Sequence, residues 1–450
     1  MTDALASLAV ARPAPGAPRV TIERVTAAGA NGELAGLNLQ HPEQGGCEHG
    51  YSIPLAGWVV PARGAPAEIH VSGAQRRLPR IPVSIRRPDI AELHPRQPWA
   101  ARAGFAARLN TIQLPRRFRL GLSLLLEDGA GVELGTIEGE RAPLPSYEGA
   151  VHRPLLVTTL GRSGSTWLTW LLGQHPQIAD YRSFEYESKV AAYFTETLRA
   201  LTSPSSYYQA IRGDIDNAGW WLGREPRWAL PWYASDDSID EWLGGEYVED
   251  LIDFFAGRVD ALHCRLAEAL GKAPGSYVVE KLPPIYVAQR MISEIFPGAR
   301  EIFLVRDFRD VVCSIFAFGE KRGKKWYWER ESAGDEQVIG ELVRDEVDGL
   351  LEAWAERGED ALLLRYENLV LRPEETLAEV LSELGLDARH ETVARMIAEA
   401  TRLDGQIREL HVTSPSPERS VGRWRRDLSP SLRRACDEAL GEALETFGYG

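Results

Sequence analysis

The stretch from Pro154 to Leu172, PLLVTTLGRSGSTWLTWLL, decides how this chain is read. An apolar, β-branched run ends at Thr159. A loop of small residues follows, Gly161-Arg162-Ser163-Gly164-Ser165, and a helical pattern opens at Thr166. A strand, loop and helix in that order aim backbone N–H groups and the positive end of a helix dipole at one point, which makes an anion site. The two glycines let the backbone curl close to a phosphate. Arg162 adds charge, and Ser165 and Thr166 add hydroxyl donors. The loop is not the Walker A pattern G-x-x-x-x-G-K-[ST], because no lysine follows Gly164 and the glycine spacing differs.

A second stretch, AREIFLVRDFRDVVCSIFAF, repeats the logic further along the chain. Its apolar run, Ile302 to Val305, reads as a strand with Arg306 at its end. Ser314 lies eight positions on, in the helical run that follows. The strand end presents Arg306 for a charge-assisted, bidentate contact with an anion. Asp307 suits the N-cap of the helix, and Ser314 reaches the same oxygens from about two turns in.

Together these motifs resemble those of sulfotransferases that use 3′-phosphoadenosine 5′-phosphosulfate (PAPS). In that family a basic residue, then Ser-Gly-Ser/Thr-Thr and often Trp, grips the phosphosulfate. An Arg and a Ser eight positions apart bind the 3′-phosphate. The resemblance implies that Arg162, Ser163, Gly164, Ser165 and Thr166 hold the 5′-phosphosulfate, and that Arg306 and Ser314 hold the 3′-phosphate. It implies that Trp167 stacks on adenine, with core packing as the other reading. LLLRYENLVLRPEETL, Leu362 to Leu377, is similar to the family's Y-E-[DN]-L segment, in which the tyrosine, here Tyr366, approaches the adenine. RSVGRWRRDL, Arg419 to Leu428, resembles a C-terminal stretch of bacterial members that closes over the nucleotide. Gly422 and Arg423 are its candidates, and a solvated basic helix start is the alternative.

The resemblance also bears on the chemistry. Lys281, in YVVEKLPP, matches a lysine that contacts the bridging oxygen of the phosphosulfate. Some cytosolic members carry a catalytic histidine near this point, and here that histidine is absent. Carbohydrate and tyrosylprotein sulfotransferases place a catalytic glutamate after the first helix. In DYRSFEYESK the best match is Glu185, and Glu187 lies on the same side of an extended segment. His175, in GQHPQI, reads as structural, and a base role for it is the remaining option.

Composition bounds these readings. The chain has 450 residues, room for two or three domains. Its apolar fraction of 44% and charged fraction of 26% are those of a globular protein. A net charge of −14 argues against a broad nucleic-acid surface but is compatible with a locally basic pocket for a small anion. Cys47, Cys264, Cys313 and Cys436 are far apart, with no C-x-x-C or Cys/His cluster, so neither a zinc site nor a disulfide framework is expected. Cys313 reads as a buried thiol. No run approaches the about 18 apolar residues of a membrane span. The first residues lack a basic signal-peptide region. These features favour a cytoplasmic, bacterial enzyme.

The chain divides by pattern. Residues 1–18, rich in Ala, Pro and Gly, read as a disordered leader. From 19 to 142, short runs such as VTIERVTAAG, SIPLAGWVVPA, AEIHVSG, PVSIRR, GFAARLNTIQL, FRLGLSLLLEDG and VELGTIEG are bounded by turn residues and predict a β-sandwich accessory domain. PLAGWVV and PDIAELHP…AGFAARL look similar to β-sandwich modules attached to bacterial glycan-processing transferases. Such a module either meets glycan or only packs. RAPLPSYEGAVHRP, Arg141 to Pro154, marks the boundary. From 150 to 450 strands alternate with helices, the signature of an α/β domain with a P-loop-kinase-like parallel sheet. Residues 207–247 are dense in aromatics, including Trp220, Trp221, Trp228, Trp232, Trp242 and Tyr247. These either line an acceptor cleft and stack on sugar faces or pack on the sheet.

The expected activity is therefore sulfuryl transfer from PAPS to an acceptor hydroxyl, first of all on a glycan, leaving adenosine 3′,5′-bisphosphate (PAP), with no metal required. The oligomeric state stays open. A P-loop kinase would need the missing Walker lysine. An inactive, glycan-binding relative is hard to square with intact Arg162, Arg306 and Ser314.

Overall fold

The computed structural model describes residues 16–29, 32–73, 80–181, 189–202, 237–284, 288–321, 334–400 and 413–450. Two compact units divide the chain, Met1–Gly149 with Tyr193–Arg258, and Ala150–Ala192 with Val259–Gly450.

The first unit carries only antiparallel pairing among its described strands. They are β1 Val20–Ala27, β2 Leu34–His41, β3 Cys47–Glu48, β4 Ser52–Pro61, β5 Pro66–Ser72, β6 Ile81–Pro82, β7 Gly104–Asn110, β8 Arg117–Leu126 and β9 Gly131–Arg141. One sheet runs β3-β1-β9-β8-β5-β6 and the other β2-β4-β7. Strand β8 shows why the sheets face a core: Phe118, Leu120, Leu122, Leu124 and Leu126 are buried, and the residues between them are not. Those side chains join Leu34, Ile53, Leu55, Val59 and Phe105 in one cluster.

Strand β2, LAGLNLQH, was not picked out by the sequence pattern. Its glycine and amide positions dilute the alternation, and it forms because β4 can come close. A Cβ at Gly57 would stand 2.1 Å from the Asn38 carbonyl oxygen, so only glycine fits there. Of the run PVSIRR only Pro82 lies in a named strand, the two-residue β6.

Tyr193–Arg258, which the linear division puts with 150–450, is counted with this unit. A buried carboxylate explains part of it. Arg19 Nε lies 2.9 Å from Glu249 Oε1, with side chains 3% and 1% exposed, and the Tyr51 hydroxyl donates to the same oxygen at 3.4 Å. Charges that deeply buried persist only when paired. Asn110 Nδ2 likewise donates to Thr202 Oγ1 at 3.0 Å.

The second unit holds a parallel sheet: β10 Arg153–Thr159, β11 Ile178–Ala179, β12 Tyr277–Leu282, β13 Arg300–Val305 and β14 Leu362–Arg365, in the order β11-β12-β10-β13-β14. The strands are apolar on both sides because both sides are covered. Ile302 and Leu304 join Leu168, Leu172, Leu369 and Leu377 in one cluster. Phe303 and Val305 join Phe308, Val312, Leu350 and Leu440 in the other. Each fully buried side chain of this size stabilises by about 1.5–3 kcal/mol.

The order places β10 at the centre. The chain leaves it toward β11 and β12 on one side and later returns to β13 and β14 on the other. In open parallel sheets the ligand crevice lies at the carboxyl ends of the strands where the order reverses. Both sequence motifs therefore fall at one crevice, since Thr159 and Leu304 are register partners on adjacent strands.

Two helix starts differ from the sequence reading. The first helix begins at Ser165, one residue early, with Gly164 as its N-cap. After β14 a short helix, Tyr366–Leu371, precedes the expected one at Pro373. The break falls at Arg372, whose φ of −139° and ψ of 57° lie outside the helical region, in keeping with the bias of a residue before proline away from helix. Among the described residues no helix is long and apolar enough to cross a membrane.

Candidate active site

The loop after β10 is built on two left-handed residues. Arg162 has φ +71° and Gly164 φ +91°. A non-glycine residue in that region is strained and is kept where the surroundings impose it. Left-handed turns of this kind fold successive N–H groups into an anion-binding concavity. Gly164 brings no capping side chain to the helix Ser165–Gly173, and a Cβ there would stand 2.5 Å from the Tyr366 ring. Ser163 and Ser165 are buried, while Gly164, Thr166 and Trp167 are partly exposed.

Arg306 ties this loop to the rest of the site. Its side chain is only 4% exposed. One terminal nitrogen donates to the Arg162 carbonyl at 3.2 Å and the other to the Ser420 carbonyl at 2.8 Å. The guanidinium lies 4.6 Å above the Tyr366 ring centroid, a cation–π contact. The Tyr366 hydroxyl is 3.0 Å from Ser420 Oγ. The third nitrogen, Arg306 Nε, is buried with no acceptor among the described residues. A buried charged donor left unpaired costs desolvation energy, so the site suits an anionic oxygen there.

Ser314 is 2% exposed and sits on the helix Phe308–Lys321. Its hydroxyl is 3.1 Å from Thr413 Oγ1 and accepts from Arg162 Nε at 3.3 Å. The Arg162 guanidinium rests 4.2 Å from the Phe318 ring centroid. Asp307 caps the helix as expected, accepting from the Arg309 N–H at 3.0 Å. The Trp167 ring meets Tyr366 edge-on at 6.5 Å. The Gly164 loop, Tyr366, Arg306 and Ser314 are thus joined by direct contacts, and Arg162 points its side chain at Ser314.

The C-terminal stretch also reaches this network. Gly422, at φ +65°, donates its N–H to Asp310 Oδ2 at 2.6 Å, and Trp424 donates to Asp310 Oδ1 at 2.9 Å. Arg423, 9% exposed, donates to the Thr413 carbonyl at 3.1 Å and pairs with Asp427 at 2.6 Å. Burial pushes the Asp310 carboxyl up to about 6, against the pull of the Trp424 N–H, the Arg306 charge and the Gly422 N–H. Sequence reasoning missed Asp310, Thr413 and Ser420. A signal existed for the first: an acid in the apolar run FRDVVCSIFAF, four residues before Ser314, shares its helix face.

Lys281 stands near the carboxyl end of β12, in register with Val157 of the central strand. Glu185 and Glu187 lie outside the described residues, as does most of the aromatic stretch 207–247. His175 is 1% exposed. Its Nδ1 accepts from the Gln177 N–H at 3.1 Å and its Nε2 donates to the Asp387 carbonyl at 3.3 Å. That pairing fixes a neutral ring inside the fold. Cys313 is buried, and all four cysteines are free thiols.

With the geometry in place, comparison gives the class. The profile of the sulfotransferase family matches residues 154–391, more than half the chain, and the chain belongs to that family. Among solved structures it is similar to the sulfotransferase domain of the curacin biosynthetic pathway, at 13% identity and TM-score 0.37, covering 66% of this chain and 98% of that one. It is similar to a mouse sulfotransferase complexed with PAP, at 15% identity and TM-score 0.34, covering 65% and 84%. A third similar structure is sulfotransferase STF9 from Mycobacterium avium, at 16% identity and TM-score 0.33, covering 67% and 79%. No curated protein matches the chain.

His175 carries a pH signature. Burial lowers its pKa from 6.5, offset in part by the Asp387 carbonyl. A group depressed in the folded state supports the fold above its unfolded pKa and withdraws that support as pH falls. His175→Gln is therefore expected to cost about 1–3 kcal/mol at pH 7.5, the range for a disrupted buried hydrogen bond. The variant should then lose less stability than wild type between pH 7.5 and 5.5. Urea unfolding at both pH values measures this, and parallel losses in the two proteins would contradict it.

Proposed function

We propose that this chain is a PAPS-dependent sulfotransferase acting on a hydroxyl acceptor, with carbohydrate as the acceptor class. PAPS supplies an activated sulfuryl group, and PAP is what remains after its transfer. The observation that carries the reading is the buried, unsatisfied Nε of Arg306, eight residues before Ser314 at the switch point of the sheet. An ATP γ-phosphate site needs the Walker lysine, whereas a 3′-phosphate needs an arginine and a hydroxyl at this place.

In this reading Arg306 and Ser314 hold the 3′-phosphate, with Gly422 and Arg423 closing over it. Ser163, Gly164, Ser165 and Thr166, at the helix N-terminus, hold the 5′-phosphosulfate. Trp167 and Tyr366 flank the adenine. Arg162 and Lys281 stabilise the negative charge that builds on the sulfuryl group and leaving phosphate. Glu185 takes the proton of the acceptor hydroxyl. Carbohydrate is favoured by the aromatic stretch and by an all-β unit of the kind that accompanies glycan-processing transferases.

The donor assignment is tested by Arg306→Ala. PAP binding is expected to weaken by roughly 2–5 kcal/mol, the cost of truncating one side of a buried charge pair. Binding of adenosine 5′-phosphosulfate, which lacks the 3′-phosphate, should change much less. Equal losses for both ligands in calorimetry would mean that Arg306 does not read the 3′-phosphate.

The base is tested on an acceptor found by screening glycans and metabolites with 35S-labelled PAPS. Glu185→Gln is expected to slow transfer by about 10²–10⁴-fold, with PAP affinity within a few-fold of wild type. Glu187→Gln is the matched control. A slow Glu187 variant beside a fast Glu185 variant moves the base by two residues, and normal turnover in both removes it from this segment.

A further inference from the structure

The polar groups of the site fall into two sets. Arg306, Ser314 and Arg162 present donors to a ligand. Asp310 is an acceptor instead. It is fully buried, lies one turn before Ser314 on the same helix face, and spends both carboxylate oxygens on the backbone of the C-terminal stretch. The stretch from Thr413 to Trp424 is fastened at three points: Thr413 to Ser314, Ser420 to Arg306 and Tyr366, and Gly422 with Trp424 to Asp310. The first two fastenings use groups the ligand also needs. The third does not.

We propose that Asp310 is a positioning residue that holds Gly422, Arg423 and Trp424 in the conformation that covers the 3′-phosphate of the donor. The inference rests on the nucleotide reading above. The geometry explains why a carboxylate is used. Two N–H donors, two residues apart and converging, need an acceptor with two oxygens that carries no donor of its own. Asparagine offers one oxygen and turns an amide N–H group toward a backbone N–H. Gly422 can bring its N–H to Asp310 because its φ of +65° is open to glycine. Arg423 then falls between the two anchored amides, so its direction is set from both sides.

The cost fits the role. Burial holds the carboxyl well above its ordinary value, so ionised Asp310 opposes folding on its own account. A carboxylate kept there despite that cost is retained for the backbone it orders rather than for global stability. The Arg306 charge offsets part of that cost, and the Asp307 charge adds to it.

The test is Asp310→Asn in the full chain, read three ways. PAP affinity should fall roughly 10- to 100-fold, the usual range for a lost hydrogen bond to a charged group. Affinity for adenosine 5′-phosphosulfate should stay within about three-fold, because the loop after β10 is untouched. Hydrogen exchange of the peptide spanning 420–428 should accelerate, with exchange in β13 unchanged. Losses of both ligands together with faster exchange throughout the second unit would overturn the proposal and leave Asp310 as a fold-stabilising residue. Wild-type PAP affinity in the variant would overturn it too. A wild-type protein that does not bind PAP would instead sink the nucleotide reading, and exchange at 420–428 would still decide whether Asp310 orders the stretch.

Discussion

A guanidinium cannot be buried unless its N–H groups find acceptors. Arg306 sits under that constraint at the end of β13, and much of the site follows from it. Its terminal nitrogens take the backbone carbonyls of Arg162 and Ser420, so the loop after β10 and the C-terminal stretch are brought to one point. The Tyr366 ring covers its face. Its Nε, a charged donor, has no acceptor among the described residues. The fold thus leaves a strong, buried donor for a ligand.

The sheet makes this arrangement possible. Parallel strands bring every carboxyl end to one edge, and the reversal of order at β10 opens a gap there. The loop following β10 can stay short because two of its residues are left-handed, which turns the chain straight into a helix. The close approach of Tyr366 to Gly164 then fixes the loop against the start of the helix that follows β14. Anion binding needs rigid, pre-aimed donors, since donors ordered only on binding lose affinity to that ordering. Contacts of this kind keep the loop in place.

Much of this was legible in the sequence because it is local. Strand, loop and helix are adjacent in PLLVTTLGRSGSTWLTWLL, and the eight-residue step from Arg306 to Ser314 is set by helical geometry. The parallel sheet followed from alternating strand and helix patterns. What the sequence did not reveal depends on long-range pairing. Strand β2 exists because Gly57 admits a neighbour's backbone. Glu249 belongs with Arg19 although 230 positions separate them. Asp310 looked like one more acid in a helix, and only the fold shows it holding amides 112 and 114 positions away. The direction of the Arg162 side chain, toward Ser314, was likewise beyond any motif, since a motif fixes a backbone position and not a rotamer.

The claim on which the rest turns is that the spare donor of Arg306 is filled by the 3′-phosphate of the nucleotide. A crystal structure of the full chain with PAP measures it directly. The expected result is a 3′-phosphate oxygen about 3 Å from Arg306 Nε, with Ser314 Oγ as a second partner and the Gly422–Trp424 backbone still anchored on Asp310. A nucleotide bound with its 3′-phosphate elsewhere, and Arg306 Nε still without an acceptor, would contradict it.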